Sequence, residues 1–193
     1  MIQFDMFKII LLLIVSIFFT ACSSFLPTAE KTSVSKWYKY DDIEKSYDNI
    51  INYQTTKEQL HDFGFNPFST PNINILNHLD IKKKFLVTSS IKMADLDNGV
   101  QECIKSKSKC IAYETTIEHI ERKRYGSVFL DLFNFRKNTR ETGWSFYSLI
   151  IINNDMVVYK VSNSKPQINN KEKKKNPLGP FQSMESILRT TVN

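Results

Sequence analysis

Apolar residues recur along this chain in three rhythms, and each predicts a different kind of element. From Ile9 to Phe19 the run is unbroken apart from Ser16. Between Asp41 and Tyr53 the spacing changes to three and four, with Ile43, Tyr47, Ile50 and Ile51 on one stripe. That predicts a helix with Asp41 or Asp42 as its N-cap. Thr56 to Gly64 predicts a second, short helix. Thr56 and Gln59 have capping-box spacing, Leu60 and Phe63 share a face, and Gly64 suits the left-handed position after the last turn. From Ile111 the rhythm becomes two, with Ile111, Tyr113, Thr115, Ile117 and His119 alternating with Glu114, Thr116 and Glu118. That predicts a half-buried strand, ended by Glu121-Arg122-Lys123-Arg124 and turned by Tyr125-Gly126.

Three more strands are predicted after it. Val128 to Arg136 is apolar on both faces apart from Asp131 and Asn134. Trp144 to Ile152 is apolar on both faces and so reads as central, and Met156 to Val161 pairs back across an Asn153-Asn154-Asp155 hairpin. Between the helical and alternating halves the signals are weaker. Pro67 and Pro71 mark a loop, Ile75, Leu76 and Leu79 fit a helical turn, and Lys84 to Thr88 reads as extended. Asp97-Asn98-Gly99 reads as a turn. Asn163 to Asn176 reads as a solvated loop or as a docking site for acidic headgroups or a protein, Asn176 to Phe181 as a rigid segment folding back, and Ser183 to Leu188 as a short helix. The expected fold is α+β, with N-terminal helices packed on a C-terminal antiparallel meander of three to four strands in a single domain, 37–193.

The apolar run near the start is eleven residues long, short of the roughly 18–20 a spanning helix needs. Lys8 precedes it and Thr20-Ala21 follow, the pattern of a cleaved secretory leader, 1–21. Asp5 sits awkwardly before such a run, which leaves Met6 as an alternative start. Phe19-Thr20-Ala21-Cys22 resembles the bacterial lipobox, although that family prefers Leu where Phe19 stands. The resemblance implies that Cys22 carries a diacylglycerol thioether and an acylated amine, anchoring the chain to a membrane. Ser23 rather than Asp after the cysteine implies the outer membrane, facing the periplasm. The competing reading is an ordinary leader in which Cys22 is incidental. Residues 22–36, with Pro27 and small polar residues, read as a flexible tether. Trp37, Tyr38 and Tyr40 then either meet the membrane interface or pack on the domain.

Charge and cysteines refine this picture. The formal net charge is +6, which suits anionic lipid, an acidic protein partner or plain solubility. No aromatic-basic motif for nucleic acid accompanies it. With Cys22 spent on lipid, Cys103 and Cys110 remain as an even pair in an oxidising compartment and predict a structural disulfide. Zinc would need more ligands, and redox motifs are usually Cys-x-x-Cys. The bridge encloses Lys105, Lys107 and Lys109, and a second lysine cluster lies at Lys173, Lys174 and Lys175. Both clusters are candidate interaction surfaces.

Catalytic signals are sparse. His61, His78 and His119 fall on different predicted elements, and no metal spacing, nucleophile elbow or phosphate loop is present. No cofactor is expected. His119 reads as a hydrogen-bonded structural histidine. Asp131, flanked by Leu130 and Leu132, would need a partner if buried, with Arg122 and Arg124 as candidates.

Lipobox, two short helices and an antiparallel sheet resemble the BamE/SmpA class of outer-membrane lipoproteins. The residues carrying this are Thr56-Lys57-Glu58-Gln59-Leu60 and Phe63-Gly64-Phe65-Asn66-Pro67, about a dozen positions that are mainly helix capping. The spacing from Thr56 to Pro67 departs from that family, and about fifty residues intervene before the sheet. Gly143-Trp144-x-Phe146 and Asn176-Pro177-Leu178-Gly179-Pro180 are similar to uncharacterised proteobacterial lipoproteins. A permanent anchor, a compact sheet domain and the lack of a catalytic constellation lead to the expectation of a non-enzymatic protein-interaction module that binds an envelope protein partner, in assembly or maintenance of outer-membrane proteins. Two alternatives stand beside it: an envelope hydrolase using His119 with Asp131 or His61, and a periplasmic inhibitor-type lipoprotein. The positive charge speaks against a basic lysozyme as the inhibited enzyme.

Overall fold

The computed structural model describes residues 26–183. Cys22, the leader and most of the segment expected as a C-terminal helix lie outside them. The described chain is α+β, with five helices and a six-stranded antiparallel sheet. In chain order these are β1 (Thr28–Thr32), α1 (Tyr40–Asp48), α2 (Lys57–Asp62), β2 (Ile73–Asn77), α3 (His78–Phe85), α4 (Asn98–Ser106), β3 (Cys110–Tyr125), α5 (Val128–Leu132), β4 (Arg136–Asn153), β5 (Met156–Ser162) and β6 (Lys165–Lys175). The strand order is β1-β3-β4-β5, with β2 also on β3 and β6 also on β4.

The chain divides into two compact units. The first comprises 30–120 and 143–168 and holds the apolar core. There the sheet is covered on both faces. Ile43, Tyr47, Leu60 and Phe65 from the α1 and α2 region pack with Tyr113, Ile117, Phe146, Ile150 and Ile152. On the opposite face, Ile81 of α3 and Val100 and Ile104 of α4 pack with Ala112, Leu149, Ile151 and Val158. This explains why 144–152 is apolar in both registers: alternate side chains enter two cores. The expected arrangement, helices gathered from the N-terminal part, accounts for one face only.

Helix α2 follows its sequence signals closely. Thr56 and Gln59 form the capping box. At the other end, the Phe65 amide donates to the Leu60 carbonyl (3.0 Å) and the Gly64 amide to that of His61 (2.9 Å), a Schellman closure. Gly64 supplies the positive φ of 102° that this closure demands. Helix α1 differs from expectation, beginning at Tyr40 after Lys39, with no side-chain cap from Asp41 or Asp42.

Five other expectations are corrected. Residues 73–87 run strand then helix, because Asn77 and Asp80 form a capping box that starts α3. Asp97-Asn98-Gly99 starts α4, since the Asp97 carboxylate accepts from the Gly99 amide instead of closing a turn. Residues 128–136 do not form a strand: Ser127 caps α5 and a positive φ at Asn134 ends the excursion. Residues 165–175 form β6, and Thr28–Thr32 of the expected tether form β1. The hairpin at Asn154-Asp155 forms as expected, with both residues at positive φ. The sheet therefore has six strands where three to four were expected.

Candidate functional site

Helix α4 and strand β3 meet at the Cys103–Cys110 pair, whose sulfurs lie at disulfide distance with Cα atoms 4.8 Å apart. Both cysteines are buried in the second core. Between them the chain is less loop-like than its composition suggested. Ile104 is buried, and Lys107–Lys109 form a single 3-10 turn. The Ser106 hydroxyl donates to the Asn153 side-chain carbonyl (2.7 Å), and the Asn154 amide donates to the Lys109 carbonyl (3.3 Å). Lys105, in the last turn of α4, and Lys107 and Lys109, on this braced turn, are all exposed.

Lys107 carries a conformation that lysine avoids, φ +54° and ψ −109°. A side chain here crowds its own backbone, and glycine is the residue that ordinarily fills such a position. Strain held in place by surrounding structure clusters at functional positions, where it is retained for what the side chain does. Sequence reasoning found these lysines by composition but had no signal for the backbone geometry.

The second unit comprises the described parts of 1–29, 121–142 and 169–193. Its described residues include ten Lys or Arg against four Asp or Glu, whereas the first unit has fourteen of each sign. The net charge of the described residues thus resides in the smaller unit. None of its described apolar side chains is fully buried, while Tyr125, Phe129, Leu132, Phe133, Phe135, Leu178 and Phe181 are exposed. Its buried side chains are polar. Asp131 pairs with Arg124 at 2.8 Å, selecting one of the two expected partners. Arg122 instead pairs with Glu141 at 2.8 Å. The Asn176 side-chain amide donates to the Asn134 backbone carbonyl at 2.9 Å. Lys173, Lys174 and Lys175 lie exposed on β6 in this unit.

An open cleft of about 440 Å³ in the same unit is lined by Pro27, Ala29, Arg122, Arg124, Thr139, Glu141, Asn170 and Glu172. Its two arginines are committed to the ion pairs just described, so it offers little free positive charge to an anion.

The residues of the hydrolase alternative have separate surroundings. The His61 ring lies 3.0 Å from the Tyr113 hydroxyl and lines an open cleft of about 530 Å³ with Lys57, Glu58 and Asp155. Burial pushes the Tyr113 hydroxyl pKa up, so it stays protonated beside the imidazole. His119 is six positions further along β3 than Tyr113, about 20 Å at the rise of a strand. There it packs on Trp144 with ring centroids 4.5 Å apart. Its Nε2 is buried without a hydrogen-bond partner. Asp131 belongs to the other unit and is engaged by Arg124. Among the described residues the two histidines lie apart, and the hydroxyl beside His61 is that of Tyr113. Among the described residues no three His, Cys, Asp or Glu side chains gather as metal ligands, and no helix is long and apolar enough to cross a membrane.

Trp37 is buried, tilted against Phe65 and donating to the Ser46 hydroxyl at 3.0 Å, so it packs on the domain. Tyr40 packs edge-on to Trp144, while Tyr38 is exposed. No protein-family model, curated protein or solved structure matches this chain.

Proposed function

We propose that this protein is a lipid-anchored lipoprotein of the bacterial outer membrane, facing the periplasm and acting as a non-enzymatic interaction module for an envelope protein. The observation that carries the docking role is Lys107, a lysine held where glycine belongs on a turn braced by Cys103–Cys110 and Asn153. The backbone that carries the three ammonium groups of Lys105, Lys107 and Lys109 is already ordered and loses little freedom on binding, which favours association with an acidic patch. Anchoring through Cys22 rests on the lipobox resemblance and fits a role in outer-membrane protein assembly or maintenance.

The test is crosslinking in intact envelopes followed by capture of the full chain. A specific partner lost in the Lys105→Gln, Lys107→Gln, Lys109→Gln variant supports the proposal. No partner above an unrelated lipoprotein, or one retained by the triple variant, overturns it. Globomycin treatment separately checks the anchor, since a lipobox protein accumulates as its precursor.

A further inference from the structure

The smaller unit displays its charge in an ordered way. Side chains alternate along each strand, and Arg122, Arg124, Thr139, Glu141, Asn170 and Glu172 line one cleft on one face. The alternate positions, Lys123, Arg136, Arg140, Lys171, Lys173 and Lys175, fall on the opposite face. Glu121 is the one acidic residue in that register. Like charges on neighbouring strands destabilise a sheet. Lysines on the edge strand β6 alone would guard against aggregation, but Lys123, Arg136 and Arg140 lie on β3 and β4, where edge protection explains nothing.

The apolar end of the unit adjoins this cationic face. Leu130, Phe135 and Pro177 line a small cavity of about 220 Å³ together with Arg136 and Lys175. Phe129, Leu132 and Phe133 project from the same short helical excursion and are 63%, 75% and 42% exposed. A cationic face bordered by exposed aromatic and leucine side chains matches a bilayer surface. The cations meet lipid phosphates and the apolar groups enter the headgroup–acyl boundary.

Chain reach brings this unit to the membrane. The Arg124 amide donates to the Pro27 carbonyl at 3.2 Å, and β1 begins at Thr28. Pro27 follows Cys22 by five positions, a span of at most about 18 Å. If Cys22 is in the bilayer, the basic unit cannot be far from it.

We infer that this face docks on an anionic phospholipid bilayer, seating Phe129, Leu132 and Phe133 in its interface and holding the anchored protein in one orientation. The inference rests on the proposed anchor at Cys22, but its test reads the docking separately. Full-length protein carrying Leu132→Trp is reconstituted into vesicles of phosphatidylcholine alone or with phosphatidylglycerol, using brominated lipid as a depth quencher. The parent chain supplies the background from Trp37 and Trp144. The tryptophan at position 132 should blue-shift and be quenched in anionic vesicles, and both signals should fade with salt. Neutralising Lys123, Arg140 and Lys173 to Gln should lower the docked-to-undocked ratio about a hundredfold, near fivefold per cation. Should that variant fail to fold, the salt titration of the Leu132→Trp protein carries the test, and quenching that persists unchanged in high salt overturns the inference.

A water-exposed tryptophan in anionic vesicles overturns it too, as does equal quenching in phosphatidylcholine. Capture of an acidic protein by the cationic face, with position 132 unquenched, assigns the face to a protein instead. Loss of the anchor alone shows as unacylated Cys22 by mass spectrometry, whatever the tryptophan reports.

Discussion

Replacing Lys107 by glycine should make the protein more stable and a poorer binder at once. At φ +54° and ψ −109° the lysine Cβ is crowded by its own backbone, a strain of about 1–2 kcal/mol. Its side chain is exposed, so truncation removes no packing. Glycine relieves the strain but frees the unfolded chain, which costs about 0.5–1 kcal/mol. The balance is a gain of up to about 1.5 kcal/mol, or at most roughly 3–6 °C in Tm for a chain of this size. Lys107→Ala is the control: it keeps the strain, loses the charge and should melt within about 0.5 kcal/mol of the parent. Thermal unfolding by circular dichroism measures both, and envelope crosslinking of the same variants measures partner capture. A lower Tm for Lys107→Gly would show that the position is not strained. Undiminished capture by Lys107→Ala would show that the lysine is not retained for binding.

Three further outcomes follow from the structure. The Cys103→Ser, Cys110→Ser variant should fold, because Val100 and Ile104 still seat α4, but should lose roughly 2–3 kcal/mol; two free thiols in the exported parent would refute the bridge. Burial pushes the Glu114 carboxyl up, yet hydrogen bonds from Lys84 (2.7 Å) and Tyr147 (3.0 Å) prevail and hold it below its ordinary 4.5. Its stabilisation is therefore complete above that value and lost as pH falls through the lower folded one, so Glu114→Gln should flatten the acid limb of Tm against pH. Arg124→Met leaves the Asp131 carboxylate buried and unpaired and should cost about 3 kcal/mol, against far less for the double variant with Asp131→Leu. Urea unfolding decides, and equal losses for the two would sink the argument.

Local chemistry made part of this protein readable from its residues. Helix α2 was legible at both ends, since a capping box and a glycine closure involve only neighbours in sequence. The hairpin at Asn154-Asp155 and the double apolar register of 144–152 were legible for similar reasons, as each is a property of a few consecutive residues. The pairing of Cys103 with Cys110 followed from elimination, and the two lysine clusters from composition. What tertiary structure decided was of another kind. Residues 128–136 are apolar enough for a strand, yet Ser127 and the pairing of buried Asp131 with Arg124 make them a helical excursion. Residues 165–175 look like a solvated loop, because the edge strand they form has a partner on one side only and buries none of its side chains. The segregation of net charge into one unit was also hidden, since that unit is assembled from three distant stretches of chain. Sequence order sets composition and local caps, whereas which charges share a face depends on strands meeting across long separations, and no short window of residues contains that information.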